Sequence, residues 1–133
     1  MNATNAVPAT VSHQSIIIAD DDAEIRGVLA IFLQALRPVI EAFDGPQTLE
    51  LVRRHVPALL VCDSELPGLR ARDVIQAMRQ DPQLASIPII VTSGHPESEV
   101  LEHDMSPTAF LAKPFVVNEL VQLVERTLAC TVP

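Results

Sequence analysis

A parallel α/β sheet covered by helices on both faces is the fold this sequence predicts, and three observations predict it. Short apolar runs alternate with amphipathic stretches along the chain. The runs are continuously apolar rather than alternating, as strands buried on both faces are. Five of them occur in a βα rhythm, with no low-complexity segment and no repeat beyond the βα unit itself.

The elements follow in order. Ile16 to Ala19 is a short β-branched run, and Ile25, Val28, Leu29, Phe32, Leu33 and Leu36 then recur at helical spacing. Arg37-Pro38 closes that helix. Val39 to Phe43 reads as the second strand, Asp44-Gly45-Pro46 as a turn that places proline at a helix start, and Leu49 and Val52 as the apolar face of the second helix. Leu59 to Cys62 is a continuous buried strand. Leu66-Pro67-Gly68 is a loop, after which Val74, Ile75 and Met78 mark the third helix. Ile87 to Val91 is the fourth strand, entered through Pro88. Pro96 and Pro107 leave only Ser98 to about His103 for a helix after it, a length that is marginal by itself. Phe110 to Ala112 makes the fifth strand, and Leu120, Leu123, Val124 and Leu128 give a last amphipathic helix.

At 133 residues the chain has the size of one domain with one real core. A composition 48% hydrophobic and 20% charged excludes a disordered chain, and no apolar stretch approaches membrane-spanning length. The net charge of -8 argues against direct binding to the nucleic-acid backbone, which needs a basic footprint. Cys62 lies in an apolar run and Cys130 near the C-terminus, a usage that predicts buried, unpaired thiols in a reducing compartment. Met1 to Ser15 lacks the basic start and apolar core of a secretory signal. The expectation is a cytoplasmic protein without a membrane contact: a flexible tail over residues 1–15, one domain over 16–130, and no output domain visible after Cys130.

Four of the apolar runs end on residues that phosphoryl chemistry uses: Asp20 with Asp21, then Asp63, then Thr92, then Lys113 followed by Pro114. In a parallel sheet the carboxyl ends of the strands line one edge, so these residues would converge on one crevice. Asp63 directly follows Leu-Val-Cys, and a carboxylate at a strand end can attack phosphorus to give an acyl phosphate. The bland alternative, that Asp63 caps the next helix, is opposed by Pro67-Gly68, which delays that helix. Asp21 with Glu24, or Asp22 alone, can cap the first helix, and Asp22 is assigned that task. Two adjacent acids at a strand end also suit Mg²⁺, which takes one or two carboxylates together with water and phosphate oxygens. Three anions crowded together call for a cation, since a unit-charge pair ~4 Å apart repels by about 4 kcal/mol at an effective dielectric of 20. Thr92 alone reads equally as a β-branched strand residue and as a phosphate-binding hydroxyl, and the adjacent Ser93-Gly94 favours the second. Lys113 follows Phe-Leu-Ala at a strand end, where it can pair with carboxylate at rest and with phosphoryl oxygen afterwards. Pro114 is a candidate cis proline, Phe110 is most simply a core aromatic, and His13, His55, His95 and His103 lack metal-ligand clustering.

Together the segments IIIADDDAEIR, LLVCDSELPGL, IIVTSG and FLAKPF resemble the motifs of the response regulator receiver domain of two-component phosphorelays. The resemblance covers nearly everything after the first 15 residues. It implies a flavodoxin-like, doubly wound five-stranded parallel sheet in the order 2-1-3-4-5. It implies Asp63 as phosphoacceptor, Asp20 and Asp21 as the acidic pair, and a Mg²⁺ site made by those three and the main-chain carbonyl of Glu65. Thr92 and Lys113 would hold phosphoryl oxygens, and Phe110 would occupy the aromatic switch position. The donor would be a sensor histidine kinase or a histidine phosphotransfer protein, and the switched surface would meet a downstream protein. The domain would assist its own phosphorylation and dephosphorylation without being an enzyme on a free substrate. Two departures stand out: Arg70-Ala71 replaces the acidic-glycine pair usual in the family, and Phe110 brings bulk without a hydroxyl, so a switch must act by packing.

Two rival functions fit less well. A haloacid-dehalogenase-like phosphohydrolase needs a second aspartate two residues after the nucleophile, where this chain has Glu65, and a cap domain that the chain lacks. An FMN-binding module would need a Ser/Thr/Gly-rich phosphate loop after the first strand, where Asp20-Asp21-Asp22 stands instead; the absence of Trp and Tyr argues the same way.

Overall fold

The computed structural model describes residues 14–96 and 107–130. Its strands are β1 (Ile16–Ala19), β2 (Val39–Ala42), β3 (Leu59–Asp63), β4 (Ile89–Ser93) and β5 (Ala109–Ala112). The helices among the described residues are α1 (Ala23–Leu33), α2 (Gly45–His55), α3 (Ala71–Arg79) and α4 (Val117–Cys130). The five strands form one sheet in the order β2-β1-β3-β4-β5, every neighbouring pair parallel. This is the flavodoxin-like order that the sequence motifs imply. The short helix expected over Ser98 to His103 lies outside the described residues, as do residues 1–13.

Strand alternation divides the core in two. Ile17, Ala19, Leu60, Cys62, Ile89 and Val91 point to one face, where Val52 of α2 and Val74, Ile75 and Met78 of α3 cover them. Ile16, Ile18, Leu59, Val61 and Ile90 point to the other, under Leu29 and Leu33 of α1 and Leu120 and Val124 of α4. Both faces of β1, β3 and β4 are therefore buried, which explains their uninterrupted apolar sequences. The edge strands β2 and β5 are only partly buried.

Several boundaries differ from those read in the sequence. Helix α1 ends at Leu33, and the chain turns through a Leu36 N–H to Leu33 carbonyl bond of 2.9 Å, so Leu36 packs on the core from a turn. Val28 and Phe32 share helical spacing with the core residues, yet both are exposed because the sheet covers a narrower stripe of α1 than the apolar pattern spans. Strand β4 runs from Ile89 to Ser93, two residues later than Ile87 to Val91. Proline has no N–H to give the ladder, and Pro88 stands at the strand's mouth, its carbonyl accepting from Leu60 N–H at 3.0 Å. The shift draws Thr92 and Ser93 into the ladder. Ser15 is anchored rather than part of a tail, because its carbonyl accepts from Ala58 N–H at 2.7 Å. Both cysteines are free, but only Cys62 is buried; Cys130 is exposed at the end of α4.

Two loops brace one another at the carboxyl edge of the sheet. Asp44 caps α2 by accepting from Gln47 N–H at 2.7 Å, and Gly45 N–H donates to the Pro67 carbonyl at 2.8 Å. A Cβ on Gly45 would overlap the backbone of Leu69. Gly68, with φ +84°, lies against the Pro46 ring in a left-handed conformation that suits glycine. Gly45→Ala should accordingly lower stability by about 2 kcal/mol, the usual cost of forcing atoms into packed space. Gly27→Ala, inside α1 with nothing near its would-be Cβ, should instead raise it by roughly 0.5–1 kcal/mol through helix propensity. Urea unfolding of both variants checks the opposite signs.

Candidate functional site

The same alternation that divides the core assembles the site. Asp63 and Thr92 continue the α1/α4-facing positions of β3 and β4, and they are register partners across that pair. One residue beyond the ends of β1 and β5, Asp20 and Lys113 stay in the ladder through Asp20 N–H to Ala42 carbonyl (3.1 Å) and Lys113 N–H to Ser93 carbonyl (2.7 Å). They therefore lie on the same pleat. Asp20, Asp63, Thr92 and Lys113, spread over most of the sequence, thus meet at one edge of the sheet.

Charge organises what they do there. Lys113 Nζ stands 3.1 Å from Asp20 Oδ2 and 3.5 Å from Asp63 Oδ2, joining two carboxylates that are 3% and 8% exposed. Burial pushes the Asp63 carboxyl above its ordinary value; Lys113 opposes this, and the Asp20 charge adds to it. For Lys113 burial works against the charged form, but the two carboxylates outweigh it and raise its affinity for the proton. The ammonium is thus held charged between them. The adjacent Cys62 thiol is pushed up by burial and by the nearby Asp63 and Asp20 charges, so it stays protonated and inert.

The structure separates the three consecutive acids. Asp22 is the cap: its Oδ1 accepts from Glu24 N–H at 2.9 Å and Ile25 N–H at 3.3 Å. Asp20 Oδ1 accepts from Asp22 N–H at 2.9 Å, which fixes its carboxylate at the head of α1. Asp21 is exposed, and its carboxylate joins those of Asp20 and Asp63 in a cluster whose oxygens lie within 4.8 Å of one another. Asp63 caps no helix, since α3 begins after Arg70, whose N–H donates to Asp73 Oδ2 at 3.2 Å. Glu65 is exposed beside the cluster, with its N–H directed at Asp63 Oδ1 over 3.5 Å. Phe110 sits on the other pleat, opposite Val91 in register and half-buried against the α2/α3 core. The Lys113–Pro114 peptide is cis.

Some contributors escaped the sequence reading. Arg26 Nη1 donates to the Asp20 carbonyl at 2.8 Å while its Nε pairs with Glu41 at 3.1 Å, pinning the end of β1 from α1. Its place one turn after the Asp22 cap is the signal that points to it. Ser64 and Ser93 bond through their hydroxyls at 2.6 Å directly behind Asp63 and Thr92, a contact between residues 29 apart with no local sequence signature.

Comparison with known proteins agrees with this geometry. The family model of the response regulator receiver domain matches residues 16–125. The transcriptional regulatory protein PdtaR of Mycobacterium tuberculosis is 32% identical over 114 residues, an alignment covering 83% of this chain and 54% of the relative. The chain thus spans about half the length of that curated relative. A putative response regulator from Chloroflexus aurantiacus superposes with TM-score 0.79 at 29% identity, over 89% of this chain and 99% of that one. The receiver domain of sensor histidine kinase PA1611 from Pseudomonas aeruginosa, with a magnesium ion coordinated in its active site cleft, superposes with TM-score 0.78 at 23% identity, over the same shares.

The charge balance predicts how stability responds to neutralisation. A carboxyl raised above its ordinary 3.8 contributes stability that is fully present below that value and lost as pH rises through the folded value. Ionised Asp63 therefore destabilises the metal-free fold at neutral pH. Asp63→Asn should be more stable than wild type by about 1 kcal/mol at pH 7, a common size for one substitution, and the gap should close below about pH 4. Asp22→Ala should cost about 1 kcal/mol in the same medium through loss of the cap, and Asp21→Ala far less. Denaturant unfolding in EDTA across this pH range gives all three values.

Proposed function

Because the chain belongs to the response regulator receiver domain family, we propose that it accepts a phosphoryl group on Asp63 from a phosphohistidine of a sensor histidine kinase or histidine phosphotransfer protein. The observation that carries this reading is the placement of one buried carboxylate, Asp63, between an ammonium at 3.5 Å and two further carboxylates. In the transfer an Asp63 oxygen attacks phosphorus, the P–N bond breaks, and its electron pair leaves with the imidazole. Lys113, already bridging Asp20 and Asp63, pairs with a phosphoryl oxygen as charge moves onto the site. The Thr92 hydroxyl, on the neighbouring strand in register with Asp63, takes another. What the residues contribute is positioning and charge neutralisation. The role is that of a signalling domain that assists its own phosphorylation and dephosphorylation, not of an enzyme turning over a free substrate.

The donor set suits Mg²⁺. Three carboxylates face one ammonium, the oxygens of Asp20, Asp21 and Asp63 lie close enough to share a small hard cation, and Asp21 is exposed where such an ion arrives. The main-chain carbonyl of Glu65 is the further protein ligand in this reading. When bound, Mg²⁺ offsets the negative charge that collects between carboxylates and phosphoryl oxygens. The magnesium in the PA1611 receiver supports the assignment by likeness of fold.

A protein donor fits the surface beside the site. Helix α1 and the segment after Lys113 flank an apolar groove of about 570 Å³, lined by Ile25, Val28 and Leu29 on one side and Lys113, Pro114 and Phe115 on the other. Ile31 and Phe32, 71% and 51% exposed, lie on the adjoining surface of α1. A partner seated there brings its histidine to the edge where Lys113 meets Asp63. The response to phosphate acts through Thr92 and, by packing, Phe110, and it is read by a downstream protein. No helix among the described residues is long and apolar enough to cross a membrane, and a cytoplasmic setting completes the proposal.

With acetyl phosphate and Mg²⁺, intact mass should show one added phosphoryl group on wild type and none on Asp63→Asn or in EDTA. Equal labelling of Asp63→Asn would remove Asp63 as the acceptor. Ile31→Glu and Phe32→Glu should label normally with acetyl phosphate yet lose about tenfold or more in transfer rate from a phosphorylated histidine kinase, since tenfold corresponds to about 1.4 kcal/mol of interface. Unchanged transfer rates would place the donor elsewhere.

A further inference from the structure

Behind the charged pleat the structure holds a polar contact that phosphoryl chemistry does not use. Ser64 and Ser93 immediately follow Asp63 and Thr92, and alternation turns both to the α2/α3 side, in line with Cys62 and Val91. They are 4% and 0% exposed, and their hydroxyls are 2.6 Å apart. Apolar side chains would fill these two places without the cost of burying hydroxyls.

Ser93 is the node of a wider set of bonds. Its Oγ accepts from the Ser64 hydroxyl and from His95 N–H at 2.9 Å, and its carbonyl accepts from Lys113 N–H at 2.7 Å. Ser64 N–H donates to the Thr92 carbonyl at 2.8 Å. The residue after Asp63 is thereby tied to Thr92 through the backbone and to Ser93 through the side chain. The residue after Thr92 is tied in turn to Lys113 and to the chain leaving β4.

We infer that Ser64 and Ser93 are positioning residues: their buried hydroxyl pair fixes Thr92 beside Asp63 and carries any displacement of Thr92 to the backbone at His95. The inference rests on the phosphoacceptor reading of Asp63. Its physical basis is that breaking the bond inside the core orphans buried polar groups, so the pair moves as a unit when β4 moves. Thr92 and Ser93 occupy opposite pleats of one strand end, so a shift of Thr92 toward a phosphoryl group turns Ser93 and the amide that it holds. Nothing in the pair touches the reacting atoms.

The test uses ¹⁵N-labelled full chain with acetyl phosphate and Mg²⁺, with intact mass taken on the same samples. Ser64→Ala, Ser93→Ala and the double variant should each still gain one phosphoryl group, while the phosphorylation-linked shift of the His95 amide falls below half its wild-type size. The double variant removes both hydroxyls and leaves neither orphaned, so it remains informative if a single variant folds poorly. The double variant's loss should match that of Ser93→Ala, because both remove the Ser64–Ser93 bond and the acceptor of His95 N–H, and Ser64→Ala, which breaks the hydroxyl bond alone, should already lose more than half. A wild-type His95 shift in labelled Ser64→Ala and in the labelled double variant would overturn the inference, as would losses that add in the double variant. Those outcomes leave Asp63 as acceptor, whereas wild type that takes no phosphoryl group overturns the acceptor reading and this inference together.

Discussion

One ammonium between two buried carboxylates governs this structure. Asp20 and Asp63 leave adjacent strands at the same edge, and like charges about 4 Å apart repel by roughly 4 kcal/mol at an effective dielectric of 20. Lys113 reaches both from β5, on the far side of β4. The compensation is incomplete: burial and Asp20 still leave the Asp63 carboxyl above its ordinary proton affinity. A site with this imbalance favours a cation and suits a nucleophile that needs one. Arg26, although close, spends its guanidinium on the Asp20 carbonyl and on Glu41, and so braces the backbone instead of neutralising the cluster.

The parallel sheet makes that arrangement possible. All five strands end at one edge, and alternate residues of each strand face one side, so four side chains at matching places fall into one pleat without any loop having to carry them. The strands' burial on both sides holds their backbones still, which keeps the carboxylates in register. Loops matter chiefly in support: Asp44-Gly45-Pro46 and Pro67-Gly68-Leu69 lean on one another so closely that Gly45 has no space for a side chain. This contact anchors the chain that leaves Asp63.

The two pleats divide the labour. The α1/α4 side carries the charges and opens beside an apolar groove, while the α2/α3 side carries Phe110, the inert Cys62 thiol and the Ser64–Ser93 pair. In the proposed switch, chemistry on one side is reported on the other because consecutive residues of β3 and β4 belong to opposite sides. Phe110 has bulk and no hydroxyl, and in the proposed switch its half-buried place opposite Val91 leaves packing as its means of response.

How much of this was legible in the sequence depended on whether the cause was local. The continuous apolar runs, the Asp22 cap and the order of the polar strand ends at Asp20, Asp63, Thr92 and Lys113 are local patterns, and they determined the fold class and the members of the charged site. The ends of β4 and α1 were not legible because Ile87 and Leu36 pack with the core yet lie outside the hydrogen-bonded elements, a distinction apolarity alone does not make. Exposure of Val28 and Phe32 followed from how narrow a stripe of α1 the sheet covers. The Arg26 brace, the overlap that reserves Gly45 and the Ser64–Ser93 bond were decided only by the tertiary structure, because each is a contact between segments whose spacing exists only once the strands have been laid side by side.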